Sequence, residues 1–120
     1  MTEAKTRVEQ LPAIVERRSA VAFDRRPIEP EKLAALVEAA RWAPSSNNRQ
    51  PWRVTFVRRG ETRDALDAAL SEGNRKWAPA APLLVVYALA PHDAERPRQA
   101  YGNRLDCGLS AQNLMLEATH

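Results

Sequence analysis

Between residues 33 and 40, apolar side chains fall at Leu33, Leu36, Val37 and Ala40. That i, i+3, i+4, i+7 spacing puts them on one helical face, the strongest helical signal in the chain. Pro30 is placed to open this helix, Glu31 suits its positive N-terminal end, and Pro44 stops it. Upstream, Leu11, Ile14 and Val15 share a shorter face, with Pro12 tolerated in the opening turn and an end expected near Arg17 or Arg18. "SAVAFDRRP" then reads as an extended connector. "WRVTFVRR" alternates, with Trp52, Val54, Phe56 and Arg58 on one side, and predicts a strand. "ETRDALDAALSEG" predicts a helix that buries Leu66, Ala69 and Leu70 and closes at Gly73. The continuous apolar run "PLLVVYAL" predicts a strand covered on both faces. From roughly Arg98 onward, Leu105, Leu109 and Leu116 form the stripe of a last helix, where Gly102 and Gly108 would allow close packing.

The order is helix, helix, strand, helix, strand, helix, an α+β pattern with no internal repeat. Residues 1–10 are polar and read as a flexible N-terminus, and residues 11–120 as a single domain. Two strands alone make a marginal sheet, so residues 11–120 are expected to be an incomplete domain. Apolar residues are 44% and charged residues 28% of the chain, ordinary for a globular protein. The formal charge of +3 is dispersed, with neither a basic stripe nor an aromatic platform, which argues against nucleic-acid binding. The apolar run around "LLVVYAL" is broken by prolines and shorter than the roughly 20 residues a spanning helix needs, so no membrane partner is expected. One cysteine, Cys107, allows no intramolecular disulfide or Cys-rich zinc site, and no signal-peptide core is visible, so a cytoplasmic location is expected.

Two stretches carry candidate chemistry. "RWAPSSNNRQPW" places Ser45, Ser46, Asn47, Asn48 and Gln50 between Pro44 and Pro51. These neutral hydroxyls and amides both donate and accept hydrogen bonds, which suits a planar heterocycle such as a flavin or a nucleobase. They also suit a plain turn. "ERRSAVAF" gathers Arg17, Arg18 and Ser19, two guanidinium forks and a hydroxyl able to hold a phosphate. The same residues also suit a solvated cationic helix end.

"RRS…F" leading into "ARWAPSSNNRQPW", with "LSEGNRKWAPAAPLLVVYAL" and "LDCGLSAQNLMLEA" following in order, resembles the nitroreductase family of flavin-dependent oxidoreductases from about Ile14 onward. The resemblance implies a nitroreductase-like α/β/α layered fold with a mixed sheet and helices on both faces. It implies FMN bound non-covalently at the interface of an intertwined homodimer, with NAD(P)H as co-substrate and a small electron-poor acceptor. By position, Arg17, Arg18 and Ser19 would hold the FMN phosphate and ribityl chain. Pro44, Ser45, Ser46 and Asn48 would approach the flavin from the partner subunit, and Gln50 would contact it or support the loop. Asn74 matches a position whose amide reaches the pyrimidine edge. No catalytic side chain and no metal are implied.

The sequence departs from the family at Val21, where many relatives carry Arg or Lys. One absent charge-assisted bond costs about 1.5 to 3 kcal/mol, and Arg25 or a C-terminal arginine could replace it. The chain is also shorter than the family domain. It is expected to be its N-terminal part, with the C-terminal strands missing; the alternative is a non-catalytic fragment with impaired FMN binding. Neither a GxGxxG element nor a P-loop is present. His92 and His120 are expected to be solvated, Trp42, Trp52 and Trp77 to anchor core or interface, and Cys107 to be an inert packing residue.

Overall fold

The computed structural model of the protein describes residues 9–89 and 97–120. Most of the expected N-terminal tail, His92 and part of the connector before the last helix lie outside those residues. Helix α1 spans Pro12–Glu16 and α2 Pro30–Arg41, each with proline in its first turn. A single 3-10 turn, Ser46–Asn48, leads into strand β1, Trp52–Arg58. Helices α3, Glu61–Ala69, and α4, Glu72–Arg75, follow, then a 3-10 turn at Ala78–Ala80. Strand β2, Leu83–Leu89, and helix α5, Pro97–Glu117, complete the described chain.

The two strands pair antiparallel, with Trp52 opposite Leu89 and Arg58 opposite Leu83. This register sets Val54 across from Tyr87 and Phe56 across from Val85. Because strand side chains alternate, those four share one face. They pack on Leu36 and Ala40 of α2 and Leu114 of α5, which form the buried cluster. Two helices therefore cover one face of a small antiparallel sheet, an α+β arrangement. Within the described residues the sheet has two strands, the two that the sequence predicts. None of the described helices is long and apolar enough to cross a membrane.

Three expectations are corrected. "PLLVVYAL" is not covered on both faces: no residue of β2 is fully buried, and Val86 and Ala88 are exposed. Helices α2 and α5 lie over the other face, that of Val85 and Tyr87. Gly73 does not end the third helix either. That helix stops at Leu70, whose backbone turns extended (φ −64°, ψ 150°), and Gly73 falls inside α4. The early stop goes with Arg63, which is 1% exposed. Its Nε meets Asp67 Oδ1 at 2.8 Å and its Nη2 donates to the Ala78 carbonyl at 3.0 Å, so the chain must fold back across residues 70–77 to reach it.

The third correction concerns α5. Its leucine stripe does not face the core: Leu105 is 59% exposed and Leu109 is exposed as well. Asn103, Asp106, Ser110 and Leu114 are buried in its place. Of the polar groups on that face, Asp106 and Ser110 meet backbone partners, described below.

Asp67→Ala strands the Arg63 guanidinium without its carboxylate, and loss of one partner of a buried pair costs about 3 kcal/mol. A urea titration should show that drop in midpoint. Glu38→Ala, which removes the exposed Glu38–Arg41 pair (2.8 Å), should leave the midpoint where it is.

Candidate functional site

The last carbonyls of any helix lack intrahelical partners. At the exit of α2, where the Ala40 carbonyl accepts the Ala43 N–H at 3.4 Å, α5 adds donors: Ser110 Oγ donates to the Ala40 carbonyl at 2.9 Å, and Asn113 Nδ2 donates to the Ala39 carbonyl at 3.2 Å. Ser110 Oγ also lies 3.3 Å from the Tyr87 hydroxyl, tying the same point to β2. One turn further toward the N-terminus of α5, the Asp106 carboxylate accepts the Ser46 backbone N–H at 3.1 Å. Three side chains at helical spacing thus hold the end of α2 and the start of the loop that follows it.

The loop itself is internally cross-braced. Ser45 Oγ accepts the Gln50 N–H at 3.0 Å, and Gln50 Nε2 donates to Asn48 Oδ1 at 2.9 Å. Asn47, Asn48 and Gln50 adopt left-handed backbone (φ 53°, 54° and 48°), a region disfavoured for residues with a Cβ. Pro51 and Trp52 are buried and anchor the far end. The side chains of Ser46, Asn47 and Asn48 are exposed, Ser45 and Gln50 half-buried, and Pro44 exposed. Gln50 is bonded inside the loop, as a supporting residue would be.

In the second stretch, Arg17 Nη1 lies 3.4 Å from Ser19 Oγ, so that guanidinium and hydroxyl point at common space. Arg18 turns back: it donates to the Arg17 carbonyl at 3.0 Å and to the Val15 carbonyl, capping the end of α1. Val21 is exposed and uncharged. Arg25, considered as its replacement, lines a cleft of about 440 Å³ with Arg58 and Arg59. Asn74 sits exposed on α4. Among the described residues, no hydrogen bond joins Arg17–Ser19, the 44–50 loop and Asn74 to one another. Two clefts, about 680 Å³ beside His120 and about 440 Å³ beside Arg25, contain none of the expected cofactor residues.

Sequence reasoning missed Asn103, Asp106, Ser110 and Arg63. The signal for the first three was present: positions 103, 106, 110 and 113 fall at helical spacing and are all polar. Asn103 is 2% exposed and its Nδ2 has no partner among the described residues. The tryptophans divide: Trp52 is buried, Trp77 is half-buried against Phe23 (ring centroids 5.9 Å apart), and Trp42 is exposed under the Arg41 guanidinium at 4.7 Å. Burial, with the Asp106 charge adding to it, pushes the Cys107 thiol up. Burial likewise raises the Tyr87 phenol, against the opposing hydrogen bond with Ser110.

The sequence matches the nitroreductase family over residues 14–101, a span that takes in Arg17–Ser19, the 44–50 loop and Asn74; the chain belongs to that family. A Streptomyces coelicolor protein provisionally named NADH dehydrogenase/NAD(P)H nitroreductase is 40% identical over 72 residues, 60% of this chain and 36% of its own length. The solved structure of a Parabacteroides distasonis protein of the same name is 29% identical with TM-score 0.73, over 89% of this chain and 60% of that one. The solved structure of a provisionally named nitroreductase in complex with FMN, from Desulfovibrio desulfuricans, is 25% identical with TM-score 0.75, over 88% of this chain and 59% of that one. The matched stretch spans 36% to 46% of the curated relatives' own lengths.

Two outcomes follow for this site. Ser110→Ala removes one hydrogen bond to the Ala40 carbonyl, which still accepts the Ala43 N–H at 3.4 Å, and should cost about 0.5 to 1.5 kcal/mol in a urea titration. Because its thiol is raised, Cys107 should react with a disulfide reagent at pH 7 more slowly than free cysteine, the gap narrowing only as pH climbs past the ordinary thiol range.

Proposed function

We propose that the chain acts in an FMN-dependent oxidoreductase that passes hydride from NAD(P)H, through FMN, to a nitroaromatic, quinone or similar electron-poor small molecule. It would do so in the cytoplasm, where NAD(P)H is available, as a homodimer with FMN at the interface. The observation that carries the reading is the braced 44–50 loop, which presents hydroxyl and amide groups to solvent with its backbone already fixed. Family membership and the FMN complex among the structural relatives support the cofactor.

The residues fit FMN by donor chemistry. Arg17 and Ser19 already face common space, and their N–H and O–H groups suit a phosphate dianion, each such bond being charge-assisted. Arg18 would join them by releasing two carbonyls at the end of α1. Ser45, Ser46 and Asn48 offer both donors and acceptors, matching the alternating N–H and C=O edge of a flavin, with Pro44 limiting the freedom of the loop entry. Gln50 would brace the loop, and Asn74 would meet the pyrimidine edge. Bound FMN supplies the two-electron chemistry itself, so no side-chain nucleophile is required.

Dimerisation is supported by the apolar surface this chain leaves uncovered. Tyr101, Leu105, Leu109 and Met115 are exposed along α5, and Leu11, Ile14 and Val15 along α1. An uncovered apolar face of this extent marks an interaction site. With no cofactor cleft formed among the described residues of one copy, a second copy would bring the arginine pair and the loop together.

Purified protein titrated with FMN should become yellow and bleach anaerobically on adding NADH or NADPH. Arg17→Ala should weaken FMN affinity about ten- to hundredfold, the loss expected for one charge-assisted bond. A protein that never takes up FMN sinks the reading. In sedimentation, the double variant Leu105→Asp, Leu109→Asp should shift a dimer toward monomer. The competing reading, a non-catalytic chain with impaired FMN binding, draws on uncharged Val21 and the inward-turned Arg18. It predicts weak FMN uptake that Val21→Arg restores.

A further inference from the structure

We infer that Asp106 is a positioning residue for the 44–50 loop: by holding the Ser46 N–H, its buried carboxylate keeps Ser45, Ser46 and Asn48 in the shape that receives the ligand. The inference rests on the flavin reading above for what the loop binds, but not for how the loop is held.

Asp106 is 5% exposed. A carboxylate withdrawn from water this far is unfavourable unless hydrogen bonds compensate it. Its partner is a backbone amide sixty residues away, at 3.1 Å, within ordinary hydrogen-bond distance. Among the described residues this is the sole hydrogen bond reaching the 44–50 segment from outside it. The remaining bonds of that segment are local: Asn48 N–H to the Ser45 carbonyl at 3.0 Å, Arg49 N–H to the Ser46 carbonyl at 3.2 Å, and the two made by Gln50.

Local bonds alone would leave the segment free to relax from the left-handed backbone at Asn47, Asn48 and Gln50, since such conformations persist only where the surroundings over-determine them. Asp106 provides the external constraint. Its own position is set by α5, which Ser110 and Asn113 fasten to the last turn of α2. The loop is thereby referenced to a rigid element, as a preorganised binding segment requires.

Amide hydrogen exchange resolved at Ser46, alongside FMN titration, decides the matter. Asp106→Ala should speed exchange at Ser46 and weaken FMN binding, each by roughly tenfold or more, the size of one charge-assisted bond. Amides in α2 should keep their protection. Asp106→Asn retains an acceptor oxygen and should restore most of both. Ser46→Pro, which deletes the donor and with it the Ser46 hydroxyl, should weaken FMN binding at least as much as Asp106→Ala, and the double variant should be no worse than Ser46→Pro alone. Unchanged exchange at Ser46 in Asp106→Ala, or fully additive losses in the double variant, overturns the inference. Should Asp106→Ala fail to fold, Asp106→Asn and Ser46→Pro carry the comparison, and an undiminished affinity in Ser46→Pro overturns it. Wild-type protein that ignores FMN refutes the flavin reading, while exchange at Ser46 still decides the role of Asp106.

Discussion

The structure hangs on the polar face that α5 turns toward the end of α2. A helix terminus exposes carbonyls that must find partners, and a strand-bearing core offers few. Ser110 and Asn113 meet two of those carbonyls, and Asp106 meets the first amide of the loop beyond. This fixes the angle at which the chain leaves α2. It also accounts for two of the polar residues that a helix with ample leucine buries: Asp106 and Ser110 each meet a backbone group of the α2 exit or of the loop after it.

A second consequence lies on the opposite side of α5. With its polar face committed to α2, its leucines and Tyr101 point outward. The shared apolar cluster is small, three fully buried side chains with five partly buried ones around them. Apolar surface not used within one copy is available between copies, and the candidate cofactor residues are likewise divided between segments that one copy does not join. On the proposed reading, association and cofactor binding would have a common structural origin in the way α5 is oriented.

Much of the element order was legible in the sequence. Proline at positions 12, 30 and 44, the apolar spacing from Leu33 to Ala40 and the alternation around Val54 are local signals, and local signals survive folding. The family was legible for a different reason: "RRS" and "PSSNNRQPW" have a fixed order and separation that few sequences share. What failed was non-local. The inward face of α5 could not be read from its own leucines, because the choice is made by carbonyls some seventy residues away. The stop at Leu70 depends on Arg63 reaching Ala78. The expectation that β2 is covered on both sides assumed a layer that the described residues do not supply. Of the candidate site, the sequence shows which residue types its two segments carry, whereas the contact of Asp106 with the Ser46 N–H depends on packing between residues sixty apart.

The backbone of the loop also restricts which sequences can occupy it. At Asn47 and Asn48, φ lies near 53° and 54°, where branching at Cβ is crowded and a short amide or no side chain at all is accommodated. Gln50, at φ 48°, is confined further by the ring of Pro51 that follows it. Neutral drift at 47 and 48 is therefore channelled toward glycine and aspartate, whereas valine, isoleucine and threonine are shut out whatever they might contribute to binding. Selection for a new ligand would have to work through the neighbouring serines, whose backbone is unconstrained in this way.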